Sequence, residues 1–454
     1  MSDKFFFLKF LQIYNLFCFF TNLYVFLFDF CDIFLKMKIY LRYILFVFFF
    51  CVPFSLVYSE GNIQYRASLL GGFFMKDGKV DPWVKGPVLG GEVAVEFLPT
   101  GKWQFLQNYN NATMGVSLSF FDFGNNKMLG QAIAPAAYIH IPFINHKKVE
   151  WGISAGIGIG FNTKRYINTV SAENRYKSIE GANQSIGSVV NLYLPEVMYL
   201  RVHLTDSWTL GASFGWYHFS NGSIKLPNSG YNIFMGELGV TYRPKADKYV
   251  APEKRVPRKL YDGKRWDVEI SATGGFRQAY YRDKGFFGCA TVSVSAHWRP
   301  VSIFKLGGGI DMFYDDYYRS VNVNPQEGDR QTLFRKTWLE GSEVKNCFRV
   351  GISLQPEFVF GNFTCGFHFG VYLYDNIKNL EPYKEVEKNG KPFNRGIFYS
   401  YDIANAGSAG HADGWLYTRI VLKYRVTKHL FVQAGLKAHL TKAEFIDAGL
   451  GVAL

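Results

Sequence analysis

The chain has 454 residues, with 50 Lys and Arg against 37 Asp and Glu, for a formal net charge of +13. Aromatics make up 18% and charged residues 19%, which is too apolar for a disordered chain. A mean hydropathy near zero excludes a polytopic helical membrane protein, and 45 glycines with few long apolar runs beyond the N-terminus point to β architecture.

Residues 1–59 stand apart from the rest. Met37-Lys38-Ile39-Tyr40-Leu41-Arg42 is a short basic opening, followed by an apolar run from Ile44 to Val57. Val57 and Ser59 occupy the small-residue positions before a cut after Ser59. Basic opening, apolar run and small residues are the parts of a secretory signal peptide, in order. Met37 is then the expected start, and residues 1–36 an upstream extension. An N-terminal membrane anchor is the alternative, since residues 5–35 are also apolar.

Beyond residue 59 the cysteines are Cys289, Cys347 and Cys365. Such a sparse, odd set is no disulfide framework. No Cys/His spacing resembles a zinc site, so neither metal nor cofactor is expected.

From residue 60 onward no stretch reaches about 18 consecutive apolar residues, the length a membrane-spanning helix needs. Period-2 alternation recurs instead. In Trp151 to Phe161 one face is apolar and the other is glycine or serine. In 197–204, Met198, Leu200, Val202 and Leu204 oppose Tyr199, Arg201 and His203. Eight strands are predicted before residue 245, at 62–74, 89–97, 112–123, 131–144, 149–161, 189–205, 208–220 and 232–244. Eight more follow at 266–280, 285–299, 302–317, 346–360, 363–376, 415–427, 430–440 and 443–454. Residues 245–265, rich in Pro, Lys and Arg, read as a periplasmic linker.

A soluble sandwich would also alternate. However, the polar faces are glycines or single charges, suited to a narrow polar lumen, and aromatics sit at the segment ends like an interfacial girdle. The long loops 162–188, 319–345 and 377–414 fall on one side, and the tight turns on the other. That is the asymmetry of an outer-membrane barrel. The expected fold is therefore all-β, a transmembrane antiparallel β-barrel in the outer membrane of a Gram-negative cell. Two tandem eight-stranded barrels, over 60–244 and 266–454, are preferred to one sixteen-stranded barrel because the interiors are narrow and glycine-rich.

The segment that carries chemistry is Gly215 to Asn232. His218 and Ser220 are two apart on a strand and share a face with Leu210, Ala212, Phe214 and Trp216. That face points to lipid. Burying polar groups in hydrocarbon costs about a few kcal/mol each unless they are paired. The strand runs outward, so a serine nucleophile with its histidine base would meet a lipid ester at outer-leaflet depth. Ser-Asn-Gly is also an ordinary turn opener, a reading that leaves His218 unexplained. His439, in the similar segment Thr427 to Thr441, falls one residue out of phase and is expected inside the second barrel.

The string His218-Phe219-Ser220-Asn221, with Pro227, Asn228 and Gly230 after it, resembles the signature of the lipid A 3-O-deacylase family of outer-membrane barrel esterases. The close resemblance covers about 15 residues, and the eight-strand pattern covers roughly 60–244. It implies that Ser220 attacks the acyl carbonyl and that His218 carries the proton. It also implies that Asn221, with the backbone N–H groups around Gly222 and Ser223, holds the oxyanion. The family's acid lies about fourteen residues after the histidine, where this chain has Asn232 instead of Glu. Asn232 can accept the imidazole N–H but cannot balance an imidazolium charge. Glu237, the nearest carboxylate, has lumen parity.

The expected function is removal of an ester-linked acyl chain from lipid A, the partner being lipopolysaccharide of the outer leaflet, with no nucleic acid. The alternatives are a non-catalytic pore, adhesin or structural barrel, and a lipid A acyltransferase. The Lys and Arg of loop 162–188, Lys164, Arg165, Arg175 and Lys177, are a weaker phosphate-binding candidate than a solvated loop.

Overall fold

The computed structural model describes residues 61–75, 80–101, 103–166, 183, 185–253, 266–278, 285–319, 343–375, 416–439 and 442–454, with short two-residue strands between 387 and 412. The expected signal peptide, residues 254–265 and most of the long loops lie outside the described residues.

The first eight strands are β1 (Ile63–Phe74), β2 (Val88–Phe97), β3 (Thr113–Asp122), β4 (Gln131–Asn145), β5 (Val149–Asn162), β6 (Val190–His203), β7 (Trp208–Ser220) and β8 (Tyr231–Tyr242). Each pairs antiparallel with its chain neighbour, and β8 closes onto β1 in the register Tyr65–Tyr242 to Phe74–Ile233. The second eight are β9 (Trp266–Arg277), β10 (Phe287–Val301), β11 (Phe304–Asp315), β12 (Phe348–Phe360), β13 (Phe363–Asp375), β14 (Leu416–Arg425), β15 (Leu430–His439) and β16 (Lys442–Ala453). They close separately, β16 onto β9. The sixteen-stranded alternative is thereby excluded: β1 has taken the edge of β8 that β9 would need.

Alternation sorts the side chains as predicted. Leu69, Phe73, Leu89, Val93, Leu210, Phe214, Leu238 and Val240 project outward from the first barrel and stay uncovered by protein. In water such a surface would be a large liability. In a bilayer it is the lipid-facing belt.

The narrow polar lumen expected of the first barrel is present toward one end only. Toward the inner end, Glu96 accepts from Arg66 Nε (3.0 Å), Arg201 Nη2 (2.6 Å), Gln64 Nε2 (2.6 Å) and Tyr138 Oη (2.8 Å). Glu237 pairs with Arg66 and accepts from Ser213 Oγ at 2.7 Å. Toward the outer end the interior is an aromatic plug of Phe74, Phe121, Phe123, Tyr193, Tyr217, Phe219 and Tyr231. An eight-stranded barrel has room only for its own side chains. Charges there must pair, and where none are present rings fill the space.

β7 starts from a tight turn in which Thr205 Oγ1 accepts from Ser207 N (3.2 Å) and Trp208 N (3.0 Å). The turn before β15 repeats it: Thr427 Oγ1 accepts from His429 N (3.3 Å) and Leu430 N (3.0 Å). These short turns lie at the end that faces the periplasm in outer-membrane barrels, so β7 runs outward. The first residues of the expected linker fold back onto this end. Ala246–Lys248 form a 3-10 turn, and Tyr249 Oη donates to Pro99 O at 3.0 Å. The two barrels touch at the same level. Tyr109, just after the short helix α1 (Gln104–Asn108), stacks on Phe360 at 4.6 Å, and its hydroxyl lies 3.0 Å from the carbonyl oxygens of Ile303 and Val359.

Candidate active site

The rotation of β7 is set from inside. Tyr217 and Phe219 are locked in the aromatic plug, so Trp216, His218 and Ser220 must face outward. His218 is the direct cross-strand partner of Asn232 on β8, and Ser220 that of Leu192 on β6. The register therefore assembles three sequence-predicted residues into one hydrogen-bonded chain. His218 Nε2 lies 2.8 Å from Ser220 Oγ, and His218 Nδ1 lies 2.7 Å from Asn232 Oδ1. Glu237 is in the lumen with Arg66, as its parity requires.

Trp216 adds a constraint that sequence reasoning missed. Its ring stacks on His218 with centroids 4.9 Å apart, and its Nε1 donates to Asn232 Oδ1 at 3.2 Å. An indole N–H can only donate. The atom that Asn232 presents here must therefore be its oxygen, and His218 Nδ1 must be the protonated nitrogen. Nε2 is left with a free lone pair toward the Ser220 hydroxyl, the tautomer a general base needs.

The loop after Ser220 presses close to the pair. Gly230, at φ +77°, is so near that a Cβ there would lie 2.8 Å from His218 Cε1 and 3.4 Å from Ser220 Cβ. Only glycine combines that conformation with that approach. Asn221 is spent within the loop: its backbone N–H donates to Asn228 Oδ1 (2.9 Å), and its Nδ2 donates to Ser188 Oγ (2.7 Å) and Lys225 O (2.9 Å). The expected oxyanion role of its side chain therefore does not match this geometry. A buried amide tied to a loop carbonyl and a hydroxyl staples the turn instead. Gly222 and Ser223 follow in left-handed conformation, at φ +60° and +67°. Both are buried, and no acceptor among the described residues meets their backbone N–H groups.

Among the described residues, the second barrel presents no copy of this site. His439 Nε2 lies 2.8 Å from Glu444 Oε2, and its Nδ1 donates to Leu416 O at 3.1 Å, inside the lumen as its parity predicts. Glu269, His297 and Glu357 come close enough to share a cation. However, Lys305 and Lys423 already reach both carboxylates at 2.6–3.2 Å, so ammonium groups stand where a metal would. Of the weaker phosphate candidates, Lys164 and Arg165 follow β5, while Arg175 and Lys177 lie outside the described residues.

Two closed barrels with apolar outer belts define an outer-membrane protein. The family model for lipid A 3-O-deacylase (PagL) matches residues 89–241, and the model for the acyloxyacyl hydrolase C-terminal domain matches 266–386 and 399–454. The first barrel belongs to the lipid A 3-O-deacylase family, and the chain is an outer-membrane hydrolase. No curated protein matches it. Among solved structures, Neisserial surface protein A is 13% identical, covering 40% of this chain and 95% of that one with a TM-score of 0.25. A porin of Rh. blastica is 10% identical, covering 86% of this chain and 100% of that one with a TM-score of 0.14. CdiB from Acinetobacter baumannii is 8% identical, covering 87% and 60% with a TM-score of 0.17.

Proposed function

We propose that the first barrel hydrolyses an ester-linked acyl chain of lipid A, with Ser220 as nucleophile and His218 as its base. The observation that carries this reading is the Ser220–His218–Asn232 chain on the lipid face, at the outer end of β7. Ser220 is buried and His218 and Asn232 are half-buried at this face, which an acyl chain of the outer leaflet would approach from the bilayer and a soluble ester would not.

Ser220 Oγ adds to the acyl carbonyl carbon as His218 Nε2 takes its proton. The carbonyl oxygen becomes an oxyanion, and the unspent N–H groups of Gly222 and Ser223 are the donors closest in sequence to receive it. Collapse breaks the ester C–O bond, and His218 returns the proton to the departing sugar hydroxyl. Water then attacks the acyl-enzyme with the same base, releasing the fatty acid and restoring Ser220. Asn232 holds the tautomer throughout but supplies no charge to the imidazolium.

Mass spectrometry of lipid A from cells expressing the wild type and Ser220→Ala tests the reading. Loss of one acyl mass that depends on Ser220 is expected. A gained acyl mass would indicate an acyltransferase, and an unchanged lipid A a passive barrel. Either result overturns the proposal.

A further inference from the structure

We infer that the second barrel is a positioning element for catalysis in the first, clamping the turn that receives the oxyanion. The inference rests on the Ser220 mechanism proposed above.

Ser223 has a side chain and yet sits at φ +67°. A residue other than glycine keeps such a conformation only where its surroundings over-determine it. Here the surroundings belong to the other barrel. Ser223 Oγ donates to Ala443 O of β16 at 2.7 Å, and Ser223 O accepts from Gln278 N, just past β9, at 3.1 Å. Gln278 Oε1 also accepts from Leu226 N at 3.0 Å, fixing the far side of the same turn. Ile446 packs so tightly on Gly222 that a Cβ there would lie 2.4 Å from its side chain, with Leu436 next at 3.3 Å. Three hydrogen bonds and one apolar wall therefore pin Gly222, Ser223 and Leu226 to the rim of the second barrel.

The consequence is chemical. An oxyanion hole works because its donors are fixed before the charge appears. Asn221 ties the ends of the turn together through Ile224 and Lys225, but among the described residues the hydrogen bonds at Ser223 between them go to the second barrel. Without the clamp, the N–H groups of Gly222 and Ser223 would sample other directions. Ser220 is anchored by the β6–β7 register and His218 by the β7–β8 register, and both would stay in place. The second barrel thus acts on the transition state, while substrate binding and the Ser–His hydrogen bond remain functions of the first. Gln278, Ala443 and Ile446 are positioning residues in this account.

The test uses the purified full-length protein, assayed for fatty-acid release from lipid A in detergent micelles. Gln278→Ala removes the acceptor for Leu226, Gln278→Glu keeps an acceptor at that point, Ser223→Ala removes the tether to Ala443, and Ile446→Ala opens the apolar wall. Gln278→Ala and Ser223→Ala are expected to lower kcat by roughly tenfold or more, the range for a misplaced oxyanion donor, with KM little changed. Gln278→Glu should recover most of the loss. Melting followed by circular dichroism shows which variants keep both barrels. If Gln278→Ala does not fold, Ile446→Ala carries the same expectation. Wild-type kcat in the folded variants, with Ser220→Ala inactive, would overturn the clamp and leave the mechanism standing. A raised KM with unchanged kcat would overturn it too, by making the second barrel a binding surface. Retained activity in Ser220→Ala would instead defeat the mechanism on which the clamp rests.

Discussion

Trp216 and Asn232 meet through a single hydrogen bond, indole Nε1 to carboxamide Oδ1 at 3.2 Å, and that bond decides which way the amide faces His218. Trp216→Phe would keep the ring against the imidazole and lose the donor. The amide could then turn its NH2 toward Nδ1 and stabilise the wrong tautomer. A neutral hydrogen bond contributes about 1 kcal/mol, so kcat should fall by roughly fivefold at unchanged KM. Steady-state kinetics on lipid A micelles would check this, and an unaltered kcat would show that the tautomer does not depend on the indole.

Asn232 stands where the family carries an acid. Asn232→Ala removes the acceptor for the imidazole N–H, and a fall in kcat of about tenfold to a hundredfold is expected. Asn232→Glu adds a charge facing the imidazolium and should raise kcat above wild type. An Asn232→Ala protein of full activity would remove this residue from the mechanism.

Gly230 lies against the Ser–His pair with no space for a side chain. Gly230→Ala should push His218 away from Ser220 and abolish most of the activity. The left-handed backbone adds a stability cost of about 1–2 kcal/mol. The barrels should still form, because the strand register does not depend on this loop. Circular dichroism and acyl release, measured on the same sample, separate the two effects.

Glu96 holds two guanidiniums, those of Arg66 and Arg201, in the closed lumen of the first barrel. Glu96→Ala leaves both without that carboxylate. Breaking a buried pair in this way costs about 3–5 kcal/mol. Urea unfolding in detergent should show a loss of that size, whereas the equivalent change at the exposed Glu253 should show none.

Tyr109 joins the barrels at their inner end, and its hydroxyl sits between two carbonyls of the second barrel. Tyr109→Phe keeps the stack on Phe360 and should cost about 1 kcal/mol of stability, the net worth of one hydrogen bond. Activity should be unaffected, because the oxyanion turn is held at the opposite end. A drop in kcat without a change in melting would contradict this division.

Much of this protein was legible in its residue order. Alternation of two fixes which side chains face lipid, and the asymmetry of loop lengths fixes which end is outside. His218 and Ser220 could therefore be placed on the lipid face from parity and at the outer rim from loop lengths. Asn232 came from the resemblance, which implies a third residue about fourteen after the histidine, and parity then favoured it over Glu237. The same counting put His439 inside the second barrel, one residue out of phase with His218. Pairing across the chain was beyond that reach. Closure into two barrels depends on β8 finding β1, and an alternating strand does not name its partner. The aromatic plug, the Trp216–Asn232 bond, the engaged donors of Asn221 and the grip of Gln278 and Ala443 on Ser223 all join residues distant in sequence. Local pattern sets the direction a side chain points. Only the folded chain determines what it meets there, and Ser223 and Leu226 of the turn after β7 gain their fixed partners only once the second barrel is in place.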